Sequence, residues 1–131
     1  MRKVKYVTSE MAIFYQQKII KTTGGSLGLR DLGLLESAVN RPKATFGGRD
    51  LYPKVLDKAA ALFHSMILNH PFLDGNKRTA LAVLYEFLKQ NGYKLKATEK
   101  ELIELPLQIE RKDLSLEQIA KWLKEHVKKL K

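Results

Sequence analysis

Residues 53–91 read PKVLDKAAALFHSMILNHPFLDGNKRTALAVLYEFLKQN, and this stretch decides the fold. In its first half Val55, Leu56, Ala59, Ala60, Phe63, Met66 and Ile67 recur at spacings of one, three and four, the stripe of a helix that lays one face on a core. Pro53 suits the first position of that helix, where a missing N–H costs nothing. From Asn76 or Lys77 to Asn91 the pattern changes. Ala80, Leu81, Val83, Leu84, Phe87 and Leu88 put apolar groups on most sides, which a surface helix would not carry, so this segment is predicted to be the central helix, closed by Gly92.

Outward from this pair the periodicity stays helical. Met11, Phe14, Tyr15 and Ile19 follow a Thr8-Ser9-Glu10 start signal and run to Gly24-Gly25. A loop to Arg30 leads into a short apolar helix from Asp31 to Asn40, stopped by Pro42. The segment from Pro42 to Tyr52, with Gly47-Gly48 and an isolated Phe46, is too short and irregular for a helix or a hairpin of any length and reads as a mobile loop. Thr98 with Glu101, and Ser115 with Gln118, are capping-box signatures that open two last helices, about Glu99 to Glu110 and Leu116 to Leu130. Trp122 falls on the apolar side of the last one with Ile119 and Leu123. Only Gly92 to Lys96 reads as extended. With no repeat or linker, the expected class is all-α: a compact bundle of about six helices in a single domain covering residues 1–131.

Composition bounds the chemistry. The chain has no cysteine, which excludes disulfides, thiolate metal sites and thiol nucleophiles. Its apolar runs never approach the ~18 residues of a membrane span, and Met1 to Val7 is basic without a following apolar signal region, so a cytoplasmic protein is expected. Twenty-four Lys and Arg against 14 Asp and Glu give +10, which attracts a nucleotide, a polyanion or an acidic protein. From Lys121 to Lys131 there are five lysines and one glutamate, cations that also suit the end of a helix dipole. The lysines are not interleaved with aromatics and no zinc-finger spacing occurs, so nucleic acid is not the favoured direct partner.

One segment concentrates the reactive groups: His70-Pro71-Phe72-Leu73-Asp74-Gly75-Asn76-Lys77-Arg78-Thr79. Pro71 and Gly75 bracket a tight connection, and Asn76 is placed to cap the helix that follows, so backbone N–H groups should converge there as an anion site. Lys77 and Arg78 fall in the first turn, where the dipole disfavours cations by ~0.3–1 kcal/mol unless an anion such as a polyphosphate compensates. His70 ends the preceding helix, and an imidazole suits proton abstraction from a hydroxyl near neutral pH. Asp74 is the loop's carboxylate, and one carboxylate beside a phosphate nest is how Mg²⁺ is commonly held. Phe72, between polar neighbours, is expected to pack into the core and hold the loop. Ordinary turn, cap and solvated-surface roles are the alternatives for each residue taken singly. Elsewhere His64, inside the Pro53 helix, reads as structural, and His126, in the lysine tail, as solvated.

This decamer resembles the signature of the Fic/Doc superfamily, H-P-F-x-[D/E]-G-N-G-R-x-x-R, and specifically its death-on-curing (Doc) toxin branch. His70, Pro71, Phe72, Asp74, Gly75, Asn76 and Arg78 fit, while Lys77 stands in place of the third glycine, as in Doc. The likeness extends through Gly24-Gly25 to Glu36, Ala44-Thr45-Phe46-Gly47-Gly48, Leu51-Tyr52-Pro53 and Asn91-Gly92-Tyr93. It implies the all-α Fic fold, with His70 as general base, Phe72 as loop anchor, Asp74 as Mg²⁺ ligand, Gly75, Asn76 and Lys77 lining a phosphate nest, and Arg78 pairing with phosphate. Thr45, Phe46 and Gly47 match the flap that holds the target peptide in Fic enzymes.

The last arginine of the Fic signature falls at Leu81, and Lys77 carries a side chain where glycine leaves space for phosphate. Doc toxins are similar on both counts, and the resemblance implies their reaction: the γ-phosphate of ATP passes to a threonine of elongation factor Tu. No segment satisfies the in-cis inhibitory pattern [S/T]-x-x-x-[E/D]-[G/N] of many Fic proteins, so restraint is expected from a Phd-type antitoxin with an acidic tail, which +10 suits. The alternatives are a Fic-type nucleotidyltransferase moving AMP or another NMP, and a catalytically idle helical module that binds an antitoxin or nucleic acid.

Overall fold

The computed structural model describes residues 3–130; Met1, Arg2 and Lys131, the outer ends of the basic N-terminal stretch and of the lysine tail, lie outside the described residues. Six α-helices form: α1 (Ser9–Thr23), α2 (Leu32–Asn40), α3 (Val55–Asn69), α4 (Asn76–Gln90), α5 (Glu99–Glu110) and α6 (Leu116–His126). The strands are β1 (Thr45–Phe46), β2 (Arg49–Asp50), β3 (Tyr93–Leu95) and β4 (Val127–Lys129), paired antiparallel as β1-β2 and β3-β4. The all-α class and the six helices are those the periodicity predicts.

The two stripes of residues 53–91 explain the centre. Phe63, Met66 and Ile67 of α3 and Val83, Leu84, Phe87 and Leu88 of α4 are buried against one another, each large side chain contributing ~1.5–3 kcal/mol relative to exposure. Helices α2 and α6 cover α3, and α1 covers α4. Thr8 caps α1 by accepting the Met11 N–H at 3.2 Å. Both capping boxes form, with Thr98 and Glu101 opening α5 and Ser115 and Gln118 opening α6.

Four local expectations are corrected. The helix after Pro53 starts at Val55 with Lys54 as its N-cap, so the proline precedes the helix. Helix α2 ends at Asn40, ahead of Pro42 as expected, and Arg41–Lys43 adds a single 3-10 turn, whose first residues need no N–H. Residues 45–50 are not irregular but form a minimal hairpin, because Gly47 and Gly48 (φ 60° and 79°) supply the two left-handed residues that a tight two-residue turn requires. The last helix stops at His126 rather than Leu130. Val127 to Lys129 leave it to pair with β3, whose edge accepts them, with a flanking bond from the Lys96 N–H to the His126 carbonyl oxygen at 2.6 Å. His126 itself is not solvated. It stacks on Trp122, centroids 3.9 Å apart, and its Nε2 lies 2.8 Å from Glu101 Oε2, tying α6 to α5. His64, read as structural, is half-buried with Nδ1 2.9 Å from Arg41, and burial first, then the Arg41 charge, lowers its pKa.

Candidate active site

The connection between α3 and α4 is built from both of its ends. His70 terminates α3 in the left-handed conformation (φ 45°, ψ 59°), which costs a non-glycine residue roughly 1 kcal/mol and must be held from outside. Arg30 does this: its Nε donates to the His70 carbonyl and its NH2 group to the Asn69 carbonyl, both at 2.7 Å. Segment 28–31 runs beside the loop, its Arg30 and Asp31 N–H groups donating to the Pro71 carbonyl and the Gly28 carbonyl accepting from the Leu73 N–H. Phe72, 1% exposed, reaches into the core between these ties.

Asn76 does not cap α4. It is the first helical residue, and its side chain turns back, Oδ1 accepting from the Phe72 N–H at 2.9 Å and Nδ2 donating to the Phe72 carbonyl at 3.0 Å. The cap is Gly75 (φ 70°), which has no side chain to spend, so no side chain caps this N-terminus. The result is a stronger anion site than a capped helix would offer, since the first-turn N–H groups stay available to a ligand.

Asp74 is positioned by residues that the sequence reading passed over. Its Oδ1 accepts from the Gly75 N–H at 2.9 Å and its Oδ2 from the Ser26 N–H at 3.2 Å. Buried Gln16 donates to the Asp74 and Ser26 carbonyls, 3.2 Å each. A Cβ at Gly25 would come within 2.6 Å of Asp74 Oδ2, so only glycine lets the two segments approach. The Gly24-Gly25 pair was visible as a helix stop; the close approach of Gly25 to Asp74 was not.

His70, Leu73, Asp74, Gly75, Asn76, Lys77 and Arg78 line one open cleft of about 450 Å³. Arg78 donates to Thr23 Oγ1 at 3.0 Å. From α5 comes Glu110, whose Oε2 lies 3.2 Å from His70 Nε2 and 3.1 Å from Lys77 Nζ. The Lys77 hydrogen bond, helped by the Lys77 charge and by His70, lowers the Glu110 pKa against the opposing cost of burial. Thr45, Phe46 and Gly47 do not line the cleft; they are exposed on the β1-β2 hairpin. A larger cleft of about 690 Å³, between the start of α3, α6 and the β3-β4 pair, is ringed by Lys54, Lys121, Lys124 and Lys129. It holds neither a histidine nor a left-handed loop, so size and chemistry point to different places and the chemistry decides.

Two comparisons bear on this geometry. Toxin Doc of Mycolicibacterium smegmatis is 55% identical over 74 residues, which make up 56% of this chain and 57% of that protein, so the match spans little more than half of the relative. Residues 6–88, which run from just before α1 through nearly all of α4 and contain every residue lining the cleft, match the Fic/DOC family. The chain therefore belongs to the Fic/DOC family.

Proposed function

We propose that this chain is a Doc-type toxin that transfers the γ-phosphate of ATP to a hydroxyl of a translation factor of the elongation factor Tu kind. The observation that carries the reading is the single cleft in which a histidine, a carboxylate and the uncapped N-terminus of α4, with Lys77 and Arg78 in its first turn, come together. In this reading His70 takes the proton of the target hydroxyl as its oxygen bonds to the γ-phosphorus. The bond to the β-phosphate oxygen breaks and ADP leaves. The first-turn N–H groups of α4 and the Lys77 and Arg78 side chains would receive the phosphates of the substrate. The name of the relative, Toxin Doc, supports the toxin part, and the charge of +10 suits restraint by a Phd-type antitoxin with an acidic tail.

The residues present fit Mg²⁺. Among the described residues no group of three or more His, Cys, Asp or Glu side chains could hold a metal ion by itself. Asp74 alone offers a carboxylate in the cleft, and its oxygens keep lone pairs beyond those used by the Ser26 and Gly75 N–H groups. That suits a hard cation carried mainly by substrate phosphates, where it would neutralise charge in the transferring group.

One observation favours the second reading, a nucleotidyltransferase. The Lys77 ammonium is drawn aside to Glu110, which leaves the space over the α4 N-terminus more open than a lysine at that position would suggest. ATP labelled separately on its α- and γ-phosphates, incubated with the chain, Mg²⁺ and a translation extract, decides between them. Label from the γ-position on a protein band supports the kinase. Label from the α-position supports nucleotide transfer, and no label from either leaves the idle binding module.

A further inference from the structure

We propose that Glu110, the last residue of α5, is a positioning residue for this site: its carboxylate fixes His70 in the tautomer that carries the proton on Nε2, leaving Nδ1 as the nitrogen that takes the substrate proton. The inference rests on the reading of His70 as the base and adds which atom acts and what holds it.

The geometry supplies the argument. One oxygen, Glu110 Oε2, faces both His70 Nε2 at 3.2 Å and Lys77 Nζ at 3.1 Å. An ionised carboxylate only accepts hydrogen bonds, so the ring nitrogen facing it must be the donor, and in a neutral imidazole the other nitrogen then holds the lone pair. Lys77 keeps that carboxylate ionised, since its hydrogen bond is the largest of the influences lowering the Glu110 pKa. His70 Nδ1 has no protein partner among the described residues.

Placement separates positioning from blocking. His70 and Lys77 line the cleft and Glu110 does not, so the carboxylate reaches both from the flank and leaves the cleft open to substrate. Its helix is firmly seated: Leu105, Pro106 and Ile109 are buried, and the Arg111 N–H closes the last turn on the Leu107 carbonyl at 3.0 Å. The histidine is thus held at its backbone by Arg30 and at its ring by Glu110, elements that come from 40 residues before it and 40 after. Two restraints of that kind are what a base needs to meet a hydroxyl in one orientation.

The test has a spectroscopic arm that needs no activity. Long-range ¹H–¹⁵N spectra of the free chain at about pH 8, where ordinary histidines are neutral, report the tautomer of His70, assigned by its loss in His70→Gln. Wild type should show a single Nε2–H pattern. Glu110→Ala should show an average of both tautomers, and Glu110→Gln, whose amide oxygen still accepts, should keep the wild-type pattern. An Nδ1–H pattern in wild type, or an unchanged pattern in Glu110→Ala, overturns the proposal. In the kinetic arm Glu110→Ala should lower kcat for γ-phosphate transfer about tenfold, less than the ~10²–10⁴-fold that the base itself contributes, with a smaller change in KM for ATP, and Glu110→Gln should recover most of the loss. A rise in kcat, as a blocking carboxylate would give, or equal losses in both variants, overturns it too. If wild type transfers no label, the reaction assigned above falls, while the spectra still decide whether Glu110 sets the tautomer. The isosteric Gln variant, checked by its melting curve, guards against a fold defect in the Ala variant.

Discussion

The loop from His70 to Gly75 and the hairpin from Thr45 to Asp50 are both short connections with left-handed residues, and the rest of the chain treats them in opposite ways. The loop is tied to α1, to the 26–31 segment, to α4 and to α5 through side chains of Gln16, Arg30, Asn76 and Glu110. The hairpin has its own four residues of pairing and, among the described residues, one outside side-chain tie, Lys58, whose buried ammonium donates to Asp50 Oδ2 at 3.3 Å and also to the Pro42 carbonyl before the hairpin at 3.1 Å. Phe46 at its tip is 83% exposed. In the proposed function the contrast has a reason: groups that would meet a phosphate in one geometry gain from being fixed in advance, whereas a surface that would read a protein target gains from staying reachable.

The largest effect expected on that division is His70→Ala. Loss of a general base lowers rate ~10²–10⁴-fold, and the melting curve should change little, because Arg30 holds the backbone carbonyl rather than the ring. Transfer of γ-label by the variant at the wild-type rate would show that the fixed loop does not carry the chemistry.

Next is Asp74→Asn. The amide oxygen can still accept from one N–H, so the turn survives, but the charge that would hold Mg²⁺ is gone. Activity should fall most at low Mg²⁺ and partly recover as Mg²⁺ rises. A loss equal at all Mg²⁺ concentrations, with a lowered Tm, would make Asp74 a structural turn residue.

How much of this was readable differs between the two regions. Residues 70–78 stood out because they are consecutive, and the helices around them follow a 3.6-residue period that any core-facing helix must show. The supports were hidden because each is a long-range event: Gly25, Arg30 and Glu110 look in the sequence like a helix stop, a loop cation and one more surface carboxylate. The hairpin was missed for the opposite reason. Two-residue strands are too short to show a period of two, and only the Gly47-Gly48 pair signalled the turn. Strand β4 needed the edge of β3, which no local pattern of Val127, Lys128 and Lys129 encodes. The Trp122–His126 contact follows from residues four apart on a helix sharing a face, yet the surrounding lysines made His126 read as solvated.

Lys58→Met tests whether the hairpin is independent of the loop. The apolar stem is replaced and two hydrogen bonds are lost, but Asp50 keeps a 54% exposed side chain that water can serve, so the cost should be about 1–2 kcal/mol rather than that of a stranded buried charge. Hydrogen exchange should quicken at Leu51, whose N–H closes the hairpin base on Ala44, and not at Leu73. Equal loss of protection at both would join the two regions into one unit.

A smaller effect should appear away from both regions, with pH. Burial pulls the His126 pKa down, but the Trp122 carbonyl and the Glu101 and Glu125 carboxylates outweigh it and leave the pKa raised. A raised folded value means that this contribution is fully present below the unfolded pKa of about 6.5 and is lost as pH rises through the folded one. Tm should therefore fall slightly as pH rises across that window, and His126→Gln should flatten the slope. A slope unchanged in the variant would show that the α5–α6 joint does not depend on this charge.

The smallest change in stability is expected at the most exposed ring. Phe46 gives up almost none of its surface to the fold, so Phe46→Ala removes little burial, and surface substitutions of this kind stay within ~0.5 kcal/mol. The turn beside it depends on the positive φ of Gly47 and Gly48 and not on the ring. Its role, if the hairpin reads the target, is intermolecular: kcat/KM for the protein substrate should fall while the affinity for ATP stays the same, because Phe46 does not line the cleft. A Tm lowered by several degrees, or a parallel loss of ATP affinity, would mean that the ring packs on the site, and the contrast between a fixed loop and a free hairpin would have to be given up.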